Sequence, residues 1–245
     1  MLSERELRVR KLIENNLSGN DLEETLLYHH SVERKLEAVK MWFQNVETIL
    51  PDFIQLSFTQ TYNTSGKVEL LEETISFKST FVKISAYIDA FFMSGVSTLD
   101  AFAHEIRMVY GLGGHHGDLY FRGLPNLLLR NHSDTELNSY LVSVEIKNSS
   151  WYKDLNSYRR ASTHESIIPI RLSGDLDVLS AEWKKFIIKL PLDPSQRPLS
   201  YNSKNFIDIG MEIRDKLQGF ISESYNKISN DIETCKTKII YKPKI

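Results

Sequence analysis

The chain has 245 residues, of which 41% are hydrophobic and 25% charged, with a formal net charge of -2 and a pI near 6.4. Such a length buries a core without metal or disulfide support, and so ordinary a composition excludes disordered, fibrous and membrane-embedded classes. The charge balance excludes a polycation that coats nucleic acid indiscriminately, so any nucleic-acid enzyme here needs a local basic site.

The single cysteine, Cys235, rules out an internal disulfide and fits a reducing compartment. The opening stretch MLSERELRVRKLIENN lacks the apolar centre of a signal peptide, and no run of ~18 apolar residues is present to span a bilayer. A cytoplasmic location without membrane contact is therefore expected. Seven prolines and eleven glycines are few breakers for this length, which points to long helices.

In chain order, Ser3 and Glu6 fit a capping box, and Leu7, Val9, Leu12, Ile13 and Leu17 form the apolar stripe of a short first helix. A long amphipathic helix follows from Asp21 through Leu36, Phe43 and Leu50, and Pro51 is expected to stop it. Residues 53–67 alternate loosely and suggest a short extended piece and a turn. From Val68 to Tyr110 apolar residues are dense and breakers almost absent, which predicts a central helix, or two helices kinked near Ser94 and Gly95. A helix apolar on more than one side is buried among others, the mark of a bundle.

A glycine-rich loop holding His115, His116 and Asp118 comes next, and Ser133 with Glu136 fits another capping box opening a helix through Leu137, Leu141, Val144 and Ile146. Beyond residue 166 the period changes. Ile167 to Leu172 and Phe186 to Leu190 read as two strands around a Gly174-Asp175 turn, residues 191–203 as a proline-rich loop, and residues from Asn205 as a closing amphipathic helix with a lysine-rich tail. The expected fold is mainly α: a single helical domain over 1–245, a bundle of about five to six helices with a small β-hairpin insertion near 166–190.

The chemistry concentrates in WYKDLNSYRRASTHES, residues 151–166. At helical period Trp151, Leu155 and Tyr158 share an inward stripe, while Lys153, Arg160 and His164 fall towards another side. Arg160 and His164 are four apart and share a face of an unbroken helix; Arg159 and His164 are five apart and converge only if the helix loosens near Ala161 to Thr163.

This arrangement resembles the HEPN superfamily, helical bundles that carry an Arg, four to six residues, then a His, commonly with a polar residue directly after the Arg. The matching residues are Arg159 and His164, with Arg160 in the polar position, where many members have Asn. The run Ser97-Thr98-Leu99-Asp100-Ala101-Phe102 on a long preceding helix, the Trp and Leu of the motif helix, the closing helix and the Leu190-Pro191-Leu192-Asp193-Pro194 element extend the likeness over roughly Leu70 to Asp231. It implies a HEPN-like core over 68–236, with N-terminal helices over 1–50 outside it.

The resemblance implies metal-independent cleavage of RNA, without a cofactor, by attack of the ribose 2′-OH on its own phosphate. Arg159 is then the stabiliser of charge and His164 the base or acid, with Arg160, Ser162, Thr163 and Lys153 as substrate contacts. These residue types suit the reaction, since imidazole exchanges a proton near neutrality and guanidinium holds two phosphate oxygens. One histidine cannot serve as base and acid in one concerted step, so a homodimer joining two motifs is expected. A toxin or defence role, with an antitoxin partner, belongs to the same implication.

Other constellations carry less. His115, His116 and Asp118, with His104, follow no zinc-ligand spacing, so no metal site is assigned. The Gly111, Gly113 and Gly114 loop follows a helix, unlike phosphate-cradling loops, which follow a strand. Tyr28, His29, His30, Met41 and Trp42 read as a core edge or a partner surface, so the alternatives to catalysis are a non-catalytic HEPN-like module that binds nucleic acid or nucleotide, as the resemblance also allows, and a structural assembly role.

Overall fold

The computed structural model describes residues 4–62, 70–113, 120–144, 146–165, 168, 170–173, 176–177, 182–183, 187–192 and 200–234. Among these lie seven α-helices: α1 (Glu4–Asn16), α2 (Gly19–Tyr62), α3 (Leu70–Tyr110), α4 (Leu124–Asn131), α5 (Glu136–Ser143), α6 (Ser150–Glu165) and α7 (Phe206–Glu233). A 3-10 turn covers Ile146–Asn148. Strands β1 (Arg171–Ser173), β2 (Leu176–Asp177), β3 (Glu182–Trp183), β4 (Ile187–Pro191) and β5 (Tyr201–Asn205) separate α6 from α7. The expected mainly helical bundle with a small strand insertion is the observed architecture. No helix among the described residues is long and apolar enough to cross a membrane.

Several local expectations are corrected. Pro51 lies inside α2, and the helix continues to Tyr62 over the first part of the stretch read as extended; residues 63–67, with the expected turn, lie outside the described residues. A helical proline forfeits about 3 kcal/mol. Two residues on, Phe53 is fully buried and its ring sits 6.1 Å from that of Phe81, and burying a side chain of that size returns about 1.5–3 kcal/mol. Of the two alternatives for the next stretch, the single central helix is the one observed, since α3 runs unbroken through Ser94 and Gly95. Gly costs a helix only about 1 kcal/mol, and the buried Phe91, Phe92, Val96 and Leu99 on either side outweigh it.

The cap of α5 is Thr135 rather than Ser133: the Thr135 hydroxyl accepts from the Asn138 N–H at 3.2 Å. That helix stops at Ser143, before Val144 and Ile146. Helix α4 was not anticipated; its eight residues lie in the short interval after the glycine loop, with Pro125 in its first turn.

The expected hairpin is present as β1 and β4, antiparallel with Arg171 opposite Lys189 and Ser173 opposite Ile187. It belongs to a three-stranded sheet in the order β1-β4-β5, and β2 and β3 form a separate short pair. Strand β5 occupies part of the stretch read as loop, because pairing with β4 supplies what its polar sequence does not advertise. The Gly174-Asp175 turn, the His115, His116 and Asp118 loop and the lysine-rich tail lie outside the described residues.

The chain divides into two compact units. The first comprises Met1–Glu37, Ser94–Lys153 and Asp215–Ile245; the second comprises Ala38–Met93 and Asp154–Arg214. In the first, Val9 and Ile13 of α1 and Val32 of α2 are buried, whereas Leu12 and Leu17 are half-buried and Leu7 and Leu27 are exposed, so the apolar stripe of the N-terminal helices is covered only in part. Phe220 of α7 gathers the rings of Phe102, Phe121, Tyr140 and Trp151 at 5.6–6.2 Å. Helix α5 is tied down from α7, where the buried Asp231 accepts the N–H groups of Glu136 and Leu137 at 2.7 and 3.0 Å and the Tyr110 hydroxyl at 2.8 Å.

The second unit is organised on Phe43, Phe91, Phe92, Phe206 and Tyr158, whose rings lie 4.7–6.2 Å from one another in a linked cluster. Here α7 approaches α2 so closely that a Cβ on Gly210 would meet the Phe43 ring at 2.6 Å. Gly210→Ala is expected to cost about 1–3 kcal/mol through overpacking, read as a lower urea midpoint at unchanged slope.

Candidate functional site

Helix α6 carries every residue singled out for chemistry. The expected inward stripe of Trp151, Leu155 and Tyr158 is buried, Leu155 and Tyr158 in the second unit together with Ala161, and Tyr158 adds a hydrogen bond from its hydroxyl to the Pro191 carbonyl at 2.8 Å. That bond ties the motif helix to the end of β4, while Ile188 and Leu190 of the strand are buried. Trp151 and Tyr152 are buried in the first unit, and Lys153 is exposed there.

The helix is unbroken from Ser150 to Glu165. No loosening occurs at Ala161 to Thr163, where the Thr163 hydroxyl donates to the Arg159 carbonyl at 2.6 Å. At 3.6 residues per turn, positions 160 and 164 are separated by about 40° around the helix axis, and positions 159 and 164 by about 140°. The geometric condition for pairing Arg159 with His164 is therefore unmet, and Arg160 is the guanidinium placed on the His164 face. Arg160 is exposed and Arg159 half-buried, and among the described residues neither forms an ion pair.

The two hydroxyls of the motif are already engaged. Thr163 serves its own helix, and Ser162 hydrogen-bonds the carboxylate of Asp89 on α3. Asp89 also accepts the Ile168 N–H at 3.0 Å, so one carboxylate holds both the last turn of α6 and the chain leaving it. Sequence reasoning missed this residue; the signal was a lone carboxylate in the apolar run between Ile88 and Phe91. Burial pushes its carboxyl above the usual aspartate range, partly offset by the Ile168 and Ser162 hydrogen bonds.

A carboxyl raised on folding makes the folded state bind a proton more readily than the unfolded chain, so this group favours folding less as pH rises through its folded value. Asp89→Asn keeps an acceptor for Ile168 and is expected to flatten the fall in stability as pH rises above the usual aspartate range, whereas Asp89→Ala costs about 1–2 kcal/mol at pH 7. Urea midpoints from that range up to pH 7 read both.

No group of three or more His, Cys, Asp or Glu placed to hold a metal occurs among the described residues. In the first unit, His104 stacks on Tyr28 with ring centroids 5.0 Å apart, and its neighbour Glu105 bonds the buried His29. The segment read as a core edge thus sends one histidine wholly into the core. Comparison with protein-family models, curated proteins and solved structures finds no match to this chain.

Proposed function

We propose that the chain is a HEPN-like endoribonuclease of the toxin or defence kind, working in the cytoplasm without a metal and as a homodimer. The observation that carries the proposal is the continuity of α6, which places positions 160 and 164 four residues apart on one face, with the Arg160 guanidinium exposed and unpaired among the described residues. The His164 imidazole takes the proton of a ribose 2′-OH as that oxygen bonds to the adjacent phosphorus. Arg160 holds the non-bridging oxygens as their charge grows. The bond to the 5′-oxygen breaks, leaving a 2′,3′-cyclic phosphate, and the departing oxygen takes its proton from His164 of a second copy. RNA is the substrate, and an antitoxin is the expected regulatory partner.

A non-catalytic RNA-binding module is the second reading. Arg159, the family-matched arginine, lies about 140° from position 164, which favours binding over turnover. Incubating the protein with a mixed RNA pool in chelator separates the two. Cyclic phosphate ends produced by wild type and lost in His164→Ala support the enzyme, whereas RNA retention without cleavage supports the module. Sedimentation as a strict monomer at micromolar concentration overturns the dimeric arrangement.

A further inference from the structure

The first unit contains a titratable group that the proposed RNA chemistry does not use. His29 of α2 and Glu105 of α3 are 0% and 1% exposed, and Tyr225 of α7 is 0% exposed. The His29 Nδ1 is hydrogen-bonded to Glu105 Oε1 at 2.7 Å, and its Nε2 lies 3.4 Å from Oε1 of Glu33, one turn along α2, within ion-pair reach but without hydrogen-bond geometry. The Tyr225 hydroxyl donates to the other Glu105 oxygen at 2.6 Å, and the His29 and Tyr225 rings are 5.3 Å apart.

We infer that His29 is a doubly protonated imidazolium in the folded protein, a buried cation that joins α2, α3 and α7 and releases them when its proton is lost at alkaline pH. Nδ1 is within hydrogen-bond distance of a carboxylate oxygen, which has no hydrogen to give, so Nδ1 carries one; Nε2 is buried within ion-pair distance of a second carboxylate, whose charge favours a proton there too. A neutral ring would aim a lone pair at a carboxylate and leave Glu105 as an uncompensated charge in the core. The titratable groups facing the ring are Glu33 and His30 on its own helix, Glu105 on α3 and Tyr225 on α7. Glu33 is 22% exposed, so the acid side of the network reaches solvent while the imidazole does not.

The sign follows from linkage. A histidine that keeps its proton on folding contributes stability fully present below about pH 6.5 and lost as pH rises through its folded value. His104 in the same unit acts oppositely: burial, then the Arg107 charge, pushes it below the usual histidine range against the pull of Asp100 and Glu24, so its contribution is lost as pH falls. The difference between wild type and a His29 variant therefore isolates the latch.

The test is the 15N shift of the His29 ring in the full chain at pH 7.5, where an ordinary histidine is about nine-tenths neutral. Two protonated nitrogens are expected; one protonated nitrogen overturns the inference. In urea unfolding between pH 6.5 and 8.5, the wild-type unfolding constant is expected to rise with pH more steeply than that of His29→Gln, by up to about tenfold per unit. Equal slopes overturn it. Should His29→Gln fail to fold, Glu33→Gln identifies the ring signal and is expected to move its titration midpoint down, while His30→Gln leaves it in place; an unmoved midpoint in Glu33→Gln counts against the latch.

Discussion

Arg160→Ala is expected to lower RNA cleavage by about 10²–10³-fold, the cost of removing a donor aimed at charge developing in a transition state. Arg159→Ala is expected to cost less, because the unbroken α6 carries that side chain away from the face shared by positions 160 and 164. His164→Ala removes the proton carrier and is expected to cost about 10²–10⁴-fold. Single-turnover cleavage of one defined RNA measures all three. A larger loss from Arg159→Ala than from Arg160→Ala would show that the family-matched arginine acts despite its azimuth, through a helix that unwinds on binding. Circular dichroism of each variant guards against misfolding, and none is expected: Arg160 is exposed, and neither arginine makes an ion pair among the described residues.

Asp231→Ala is expected to be the most destabilising single change, at about 2–5 kcal/mol. The carboxylate is fully buried and accepts hydrogen bonds from two N–H groups in the first turn of α5 and from the Tyr110 hydroxyl. Removing it leaves the Tyr110 hydroxyl without that acceptor, worth about 1–3 kcal/mol, and strips α5 of a negatively charged cap, worth about 1–2 kcal/mol more. Asp231→Asn is not a rescue. One of its two positions becomes an NH2 group and must face either the Glu136 N–H or the Leu137 N–H and Tyr110 hydroxyl. Tyr110→Phe removes one donor only and is expected to cost about 1 kcal/mol. Urea unfolding of the three variants checks the order, and an Asp231→Ala loss no larger than that of Tyr110→Phe would contradict it.

Helices were legible in the sequence wherever apolar spacing alone decides, as in α3 and α7, and the residue types of the α6 motif were legible for the same reason. What sequence reading lost were features settled by a distant partner. Phe53 packs on Phe81 and carries α2 through Pro51; β4 recruits the polar β5; Asp231 on α7 assists the start of α5, 95 positions away. The buried network follows the same rule, since Glu105 is 76 positions from His29 and 120 from Tyr225. Asp89 was hidden because a carboxylate in an apolar helix looks like a flaw until Ser162 and the Ile168 N–H are seen to converge on it.

The division of the chain into interleaved segments bears on synthesis at the ribosome. The first unit needs three separate stretches, the last beginning at Asp215, and the second needs two. A nascent chain that has emerged through α6 already holds His29 and Glu105, yet waits for Tyr225 and Asp231 before that core can close. Its apolar helices stand open in the meantime, the condition under which chains engage chaperones or aggregate. Neither unit can be expressed as one continuous fragment, and a chain truncated before Asp215 is expected to be degraded in the cell rather than to accumulate as a folded half.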